Sequence, residues 1–217
     1  MKESQYKIGM MGVLLIQVCL FCIHPPYPDE IFLQHIATII AIAFLVVTTV
    51  KNNMSNTGFL CLTLMVSIHI VGARWNYSNT PYDTWFQSVF GWSIDGYFDC
   101  QRNHFDRFVH FMYGMLMIIP VAEVYHRWIV IPKRFAIHAA FLFVLASSMM
   151  YELLEWMVAV WMSPAQAEAY NGQQGDLWDA QKDMALATLG AIIMIFIIKV
   201  VRNYTTRIHI SDSEQKE

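Results

Sequence analysis

The apolar positions of this chain are gathered into long runs rather than scattered, and the polar positions fall between the runs or at their ends. A helix that crosses a bilayer needs about 20 mostly apolar residues at ~1.5 Å rise each. It must also satisfy its own backbone hydrogen bonds, because lipid offers none. Six runs qualify: residues 8–23, 32–50, 57–73, 108–125, 135–162 and 184–201. The first is the shortest, and Lys2 and Lys7 ahead of it imitate the charged start of a signal peptide. The segment His24-Pro25-Pro26-Tyr27-Pro28 behind it lacks the small residues of a cleavage site. The run is therefore expected to stay as an anchor, with the mature chain starting near Met1.

Orientation follows from the Lys and Arg residues of the connecting segments, since these are retained on the cytoplasmic side. With both termini inside, Lys2, Lys7, Lys51, Arg127, Lys133, Arg134, Lys199, Arg202, Arg207 and Lys216 lie inward, and only Arg74, Arg102, Arg107 and Lys182 lie outward. The long connections 74–107 and 163–183 and the turn 25–28 then face out. So do Trp75, Trp85, Trp92, Trp156, Trp161 and Trp178, whose rings favour the headgroup layer.

Composition agrees. Of 217 residues, 56% are hydrophobic and 14% charged, against roughly 25% charged in ordinary globular domains. Mean hydropathy is +0.39. A soluble enzyme, a disordered tail, a disulfide scaffold and a nucleic-acid binder are set aside, the last because the net charge is only -3 with no basic block. The expected architecture is an all-α polytopic bundle of six helices, N-in and C-in, with residues 1–217 forming one integral membrane domain. Cys19-x-x-Cys22 has redox spacing but lies inside an apolar run, where a thiolate is disfavoured, and reads as packing. Cys61 is also within a run and Cys100 stands alone in a loop, so no disulfide-linked partner is expected. Pro120 should kink the fourth span.

Ionisable residues within spans cost about 2.5–3.5 kcal/mol each near a helix centre and usually face a cavity or a partner. Here they are concentrated. Asp106 and His110 stand at i and i+4 at the start of the fourth span, sharing one helix face. Glu152 and Glu155 share a face of the fifth, about 15 and about 10 Å below its outer end at ~1.5 Å per residue. Asp179 and Asp183 repeat the i, i+4 spacing before the sixth, and His69 closes the third. These groups come to one depth in the outer half of the membrane, which implies a shared, partly wet, acidic pocket opening outward.

The segments Asp106-x-x-x-His110-Phe111, Glu152-x-x-Glu155 and Asp183-Met184-Ala185-Leu186-Ala187-Thr188-Leu189-Gly190-Ala191 are similar to the D-K-x-x-H-F, E-x-x-Q and D-x-x-x-N-x-x-G-A signatures of VanZ-like membrane proteins. Arg107, Glu155 and Ala187 depart from that pattern, where Lys, Gln and Asn are usual. The resemblance covers the C-terminal half and implies a shared membrane fold, in a family whose best-known member is associated with resistance to a lipoglycopeptide antibiotic. Over its whole length the chain resembles the YjdF-like family of bacterial inner-membrane proteins. That resemblance rests on His69-Ile70-Val71-Gly72-Ala73, Arg102-Asn103-His104-Phe105-Asp106-Arg107-Phe108-Val109-His110-Phe111 and Gln174-Gly175-Asp176-Leu177-Trp178-Asp179. It implies a multi-pass protein of the inner membrane and brings no assigned activity.

Three functions compete. The first is a periplasm-facing hydrolase or transferase acting on a membrane lipid or lipid-linked substrate. Its reactive centre is Asp106, His110, Glu152, Glu155, Asp179 and Asp183. A divalent metal on His69, His110, Glu152 and Asp183 is the candidate cofactor, and Arg74, Arg102 and Arg107 hold an anionic headgroup. The arginines have an equally good alternative in pairing with Asp83, Asp95, Asp99 or Asp106. The second is a non-catalytic lipid, ion or lipoglycopeptide binder, with a proton-coupled transporter behind it, disfavoured because the inner half offers only Glu123 and His138. The third is purely structural, with salt bridges such as Asp106 to Arg74 fixing helix register. Against it, the acids outnumber the nearby bases and leave net negative charge.

Overall fold

The computed structural model describes residues 2–161, 163 and 174–214. The expected start near Met1, residues 164–173 of the 163–183 connection and Lys216 lie outside them. The chain is an all-α polytopic bundle with no strand among the described residues. Its helices are α1 (Lys2–Cys22), α2 (Pro28–Lys51), α3 (Asn56–Arg74), α4 (Tyr82–Phe90), α5 (Ile94–Tyr97), α6 (Phe105–Arg127), α7 (Lys133–Trp161) and α8 (Asp179–Glu214). All but the short α4 and α5 are long and apolar enough to cross a membrane.

Local sequence places the ends. Pro28 opens α2, where its missing N–H costs nothing. Asn52 closes the same helix in the left-handed conformation, its N–H reaching the carbonyls of Thr48 and Thr49. Ser55 caps α3 by accepting from the Gly58 N–H at 3.0 Å, and its own N–H and hydroxyl both go to Glu123 of α6. Lys7, fully buried, donates to the Met54 carbonyl at 2.6 Å and to Asn52 at 3.1 Å, tying the start of α1 to the α2–α3 turn. Each spanning helix outruns its apolar run, and the gain at α6 and α8 matters most. Asp106 and Asp179 occupy the first turns of those helices, where a carboxylate is favoured by the positive end of the helix dipole but depresses a hydropathy window.

Two cores hold the bundle. Leu14, Leu45, Phe59 and Ile70 join α1, α2 and α3, and Ile118, Ala140, Val144 and Ala191 join α6, α7 and α8. Packing of α3 on α6 links them. The tightest crossing is α6 with α8. A methyl added at Gly114 would lie 1.8 Å from the Ala187 carbonyl oxygen, and one at Gly190 would lie 2.1 Å from that of Phe111. Between helices in lipid, small residues of this kind permit close approach and supply the van der Waals contact that holds the pair. Gly114 lies four and eight residues beyond His110 and Asp106, and Ala187 the same distances beyond Asp183 and Asp179. One face of α6 therefore meets one face of α8, small residues in contact and polar residues one and two turns nearer the helix starts.

Candidate functional site

The polar residues at that end form two layers. The outer one is ionic and closed. Arg102 grips Asp179 through both carboxylate oxygens, at 2.6 and 3.2 Å. Arg107 bonds to Asp176 and reaches Asp179 at 3.1 Å, and Lys182 donates to Asp176 at 2.6 Å. Beside them Asn103 and Gln174 exchange hydrogen bonds, N–H to Oε1 at 2.8 Å and Nε2 to carbonyl at 3.1 Å, which fastens the segment before α6 to the segment before α8. The hydrogen bond from Lys182, with those from the Trp178 N–H and Arg107, holds the Asp176 carboxyl well below the usual carboxylate range. Burial, and then the charges of Arg107 and Arg102, hold the His104 imidazole below its ordinary value.

The inner layer is built differently. Nε2 of His110 lies 3.8 Å from Asp106 Oδ1 on its own helix and 3.5 Å from Glu152 Oε1 on α7. Asp183 of α8 joins them, one ligand atom each from Asp106, His110 and Asp183 falling within 4.8 Å of one another. All four side chains are buried. Glu152 Oε1 and Asp183 Oδ1 are nevertheless without a hydrogen-bond partner among the described residues. The 3.5 Å approach of His110 to Glu152 is a charge contact without hydrogen-bond geometry.

A cavity opens on each side of this group. One, of about 330 Å³, lies between α7 and α8, lined by Glu152, Glu155, Asp179, Trp156 and Met184. The other, of about 360 Å³, is an apolar cleft lined by α2, α3, α6 and α7. It includes Ala37, Leu62, Met65, Tyr113 and Ser148, with Asp106 and His110 at one end.

The structure thus brings Asp106, His110, Glu152 and Asp183 together, with Glu155 on the rim and Asp179 in the ionic layer above. It does not bring in His69 or Arg74. The ring nitrogens of His69 are occupied by the Gln34 carbonyl at 3.2 Å and by the Tyr77 hydroxyl, so the side chain lines the cleft without joining the group. The Arg74 guanidinium caps the end of α1 through the carbonyls of Phe21 and Ile23, and no Asp106–Arg74 bridge forms. Arg102 and Arg107 pair with Asp179 and Asp176 rather than with Asp83, Asp95, Asp99 or Asp106. Asp83 instead accepts from Ser93 and the Asp95 N–H, and Asp95 accepts from Tyr82. Burial, with that bond, pushes the Tyr82 hydroxyl up.

Three contributors escape sequence reasoning. Lys182 and Asp176 are read there as loop charges, although Lys182 at Asp176 plus six hints at a local pair. Gly114 carries no chemistry and is marked only by its spacing from His110, while Ala187 is visible as a departure from the VanZ-like motif but not as its packing partner. Ser148, buried with an unpartnered hydroxyl beside the cleft, is hidden inside an apolar run.

Residues 6–204 match the family described as Predicted membrane protein (DUF2238). The chain is 29% identical over 163 residues to Inner membrane protein YjdF of Escherichia coli (strain K12), an overlap that covers 74% of this chain and 73% of that relative. No solved structure matches it.

Proposed function

The chain belongs to the DUF2238 family of predicted membrane proteins, and for this multi-pass inner-membrane protein we propose a hydrolase or transferase that acts on a lipid or lipid-linked substrate. Both termini are cytoplasmic in this reading, which the excess of Lys and Arg in the corresponding loops supports, and the centre faces the periplasm. The observation that carries it is an imidazole buried among carboxylates from three helices, with Glu152 Oε1 and Asp183 Oδ1 unsatisfied among the described residues. A buried polar atom without a partner costs roughly 1–3 kcal/mol, so each of these two calls for an explanation that a reactive centre supplies.

In this reading His110 takes the proton of water or of an acceptor hydroxyl and Asp106 orients the ring. Glu152 shuttles the proton toward the leaving group. The apolar cleft ends at Asp106 and His110, so a hydrocarbon chain lying in it would bring its polar linkage to the imidazole. Arg107 Nε is buried without a partner among the described residues and is the donor left for an anionic headgroup. The ionic layer above satisfies the structural reading for Arg102, Arg107, Asp176 and Asp179, but that reading leaves the inner carboxylates unexplained. A translocation path finds less support. At the opposite end Glu123 is bound to Ser55, and His138 Nδ1 is hydrogen-bonded to the Arg134 carbonyl of its own helix.

The test is incubation of the purified protein in vesicles of total inner-membrane lipid, with mass spectrometry of the lipid classes over time. The reading expects one class to decline with its product rising, abolished in His110→Ala. An unchanged lipid profile at high enzyme load, or turnover equal in His110→Ala, overturns it in favour of a non-catalytic binder.

A further inference from the structure

We propose that Asp106, His110 and Asp183 hold one divalent first-row transition-metal ion, with its fourth position left open beside Glu152. The distances fit. Zinc–ligand bonds to His nitrogen and carboxylate oxygen are about 2.0–2.2 Å, so adjacent ligands on a tetrahedral ion lie about 3.4 Å apart. His110 Nε2 already stands 3.8 Å from Asp106 Oδ1 and 3.5 Å from Glu152 Oε1. An Asp183 oxygen lies within 4.8 Å of the ligand atoms of Asp106 and His110.

The charge of the group gives a cation its place. The two arginines and the lysine of the ionic layer direct their ion pairs to Asp176 and Asp179 and carry one surplus positive charge. That leaves Asp106, Glu152 and Asp183 sharing one imidazole in a membrane-embedded site. Asp183 is 2% exposed, and its Oδ1 has no partner among the described residues. A doubly charged ion would supply that partner and the missing positive charge together. One imidazole with several carboxylate oxygens and no thiolate is a donor set for Zn²⁺, Mn²⁺ or Fe²⁺, and it does not favour Cu⁺. His69, whose ring nitrogens are already engaged, is left out of the ligand set, and Asp106 stands in the place expected for it.

The ion changes the proposed reaction: His110 and Asp106 would serve as ligands instead of as base and orienter, Glu152 would take the proton, and the metal would lower the pKa of a water in its open position toward neutrality. Its role rests on that reading, but its binding is measured without turnover. The full chain, purified without chelator, is analysed for metals by mass spectrometry, then stripped and titrated with Co²⁺ while the visible d–d absorption is followed. About one equivalent of metal and a saturable Co²⁺ band are expected, with affinity falling roughly tenfold or more in Asp183→Asn and His110→Ala. The isosteric Asp106→Asn, checked for native elution and helicity, guards against a mere folding defect and should also lose the band. No stoichiometric metal together with no Co²⁺ band, or binding unchanged in Asp183→Asn and Asp106→Asn, overturns the site. Lipid turnover that survives chelation also overturns it while leaving the acid–base reading intact. Stoichiometric metal without lipid turnover supports the site and removes the hydrolase.

Discussion

Replacing Gly114 with Ala probes the contact that sets the whole site. The new Cβ would sit 1.8 Å from the Ala187 carbonyl oxygen, 2.7 Å from its carbon and 3.0 Å from its Cα, all backbone atoms with no rotamer to escape into. Real Cβ contacts essentially never fall below 3.0 Å, so α6 and α8 must part by at least about 1.2 Å at this level. Overpacking of this kind costs typically 1–3 kcal/mol. His110 lies four residues away, about 6 Å along the helix, so most of the displacement reaches the gap between Asp106, His110 and Asp183. A misplacement of about 1 Å at a reactive centre can lower a rate by 10²-fold. Thermal unfolding in detergent and the Co²⁺ titration read the two effects, with Gly9→Ala as the control because nothing lies within 4 Å of the added methyl. The expected result is a clearly lowered melting temperature and a weakened Co²⁺ band in Gly114→Ala, with Gly9→Ala within about 0.5 kcal/mol of the parent. If Gly114→Ala melts like Gly9→Ala and binds Co²⁺ normally, the close α6–α8 crossing does not position the site.

Arg102→Ala should cost about 1.5–3 kcal/mol in an unfolding assay, because it removes two charge-assisted hydrogen bonds from the buried Asp179 and leaves it Arg107, and Arg102→Ala/Asp179→Asn should recover part of the loss. Asp176 and His104 both bind protons less tightly folded than unfolded, so each contributes fully above its unfolded value and loses that contribution as pH falls. Melting temperature should therefore drop below pH 6.5 less steeply in His104→Gln than in the parent, and the deficit of Asp176→Asn should narrow as pH falls from about 5 to about 3. Ala37→Phe, at an exposed position lining the apolar cleft, should reduce lipid co-purifying with the protein, measured by extraction and mass spectrometry, while leaving the Co²⁺ band in place.

The six spans are legible because a bilayer demands long apolar runs, and the pairs Asp106/His110 and Asp179/Asp183 are legible because i and i+4 share a helix face. What the runs hide is which helices touch. A lipid-facing side and a packed side are equally apolar, so nothing in the pattern of α3 reveals that His69 turns to the Gln34 carbonyl and Tyr77. Arg74 misleads for a related reason, since its position near the outer boundary is clear but its use as a cap for α1 depends on how α1 and α3 cross. The arginines of the ionic layer find their acids some 70 residues along the chain, beyond the reach of local pairing rules. The stretch Asp183-x-x-x-Ala187-x-x-Gly190-Ala191 is visible as a motif, but its meaning is half packing: Asp183 faces the site while Ala187 and Gly190 let α6 approach.

The account stands on side chains from three helices acting as one coupled group, and a double-mutant cycle between His110→Ala and Asp183→Asn on unfolding free energy measures that coupling. The two substitutions should deviate from additivity by about 1 kcal/mol or more, as residues sharing one charge network do. Additivity within about 0.3–0.5 kcal/mol would mean that α6 and α8 present separate polar groups and that no common centre exists.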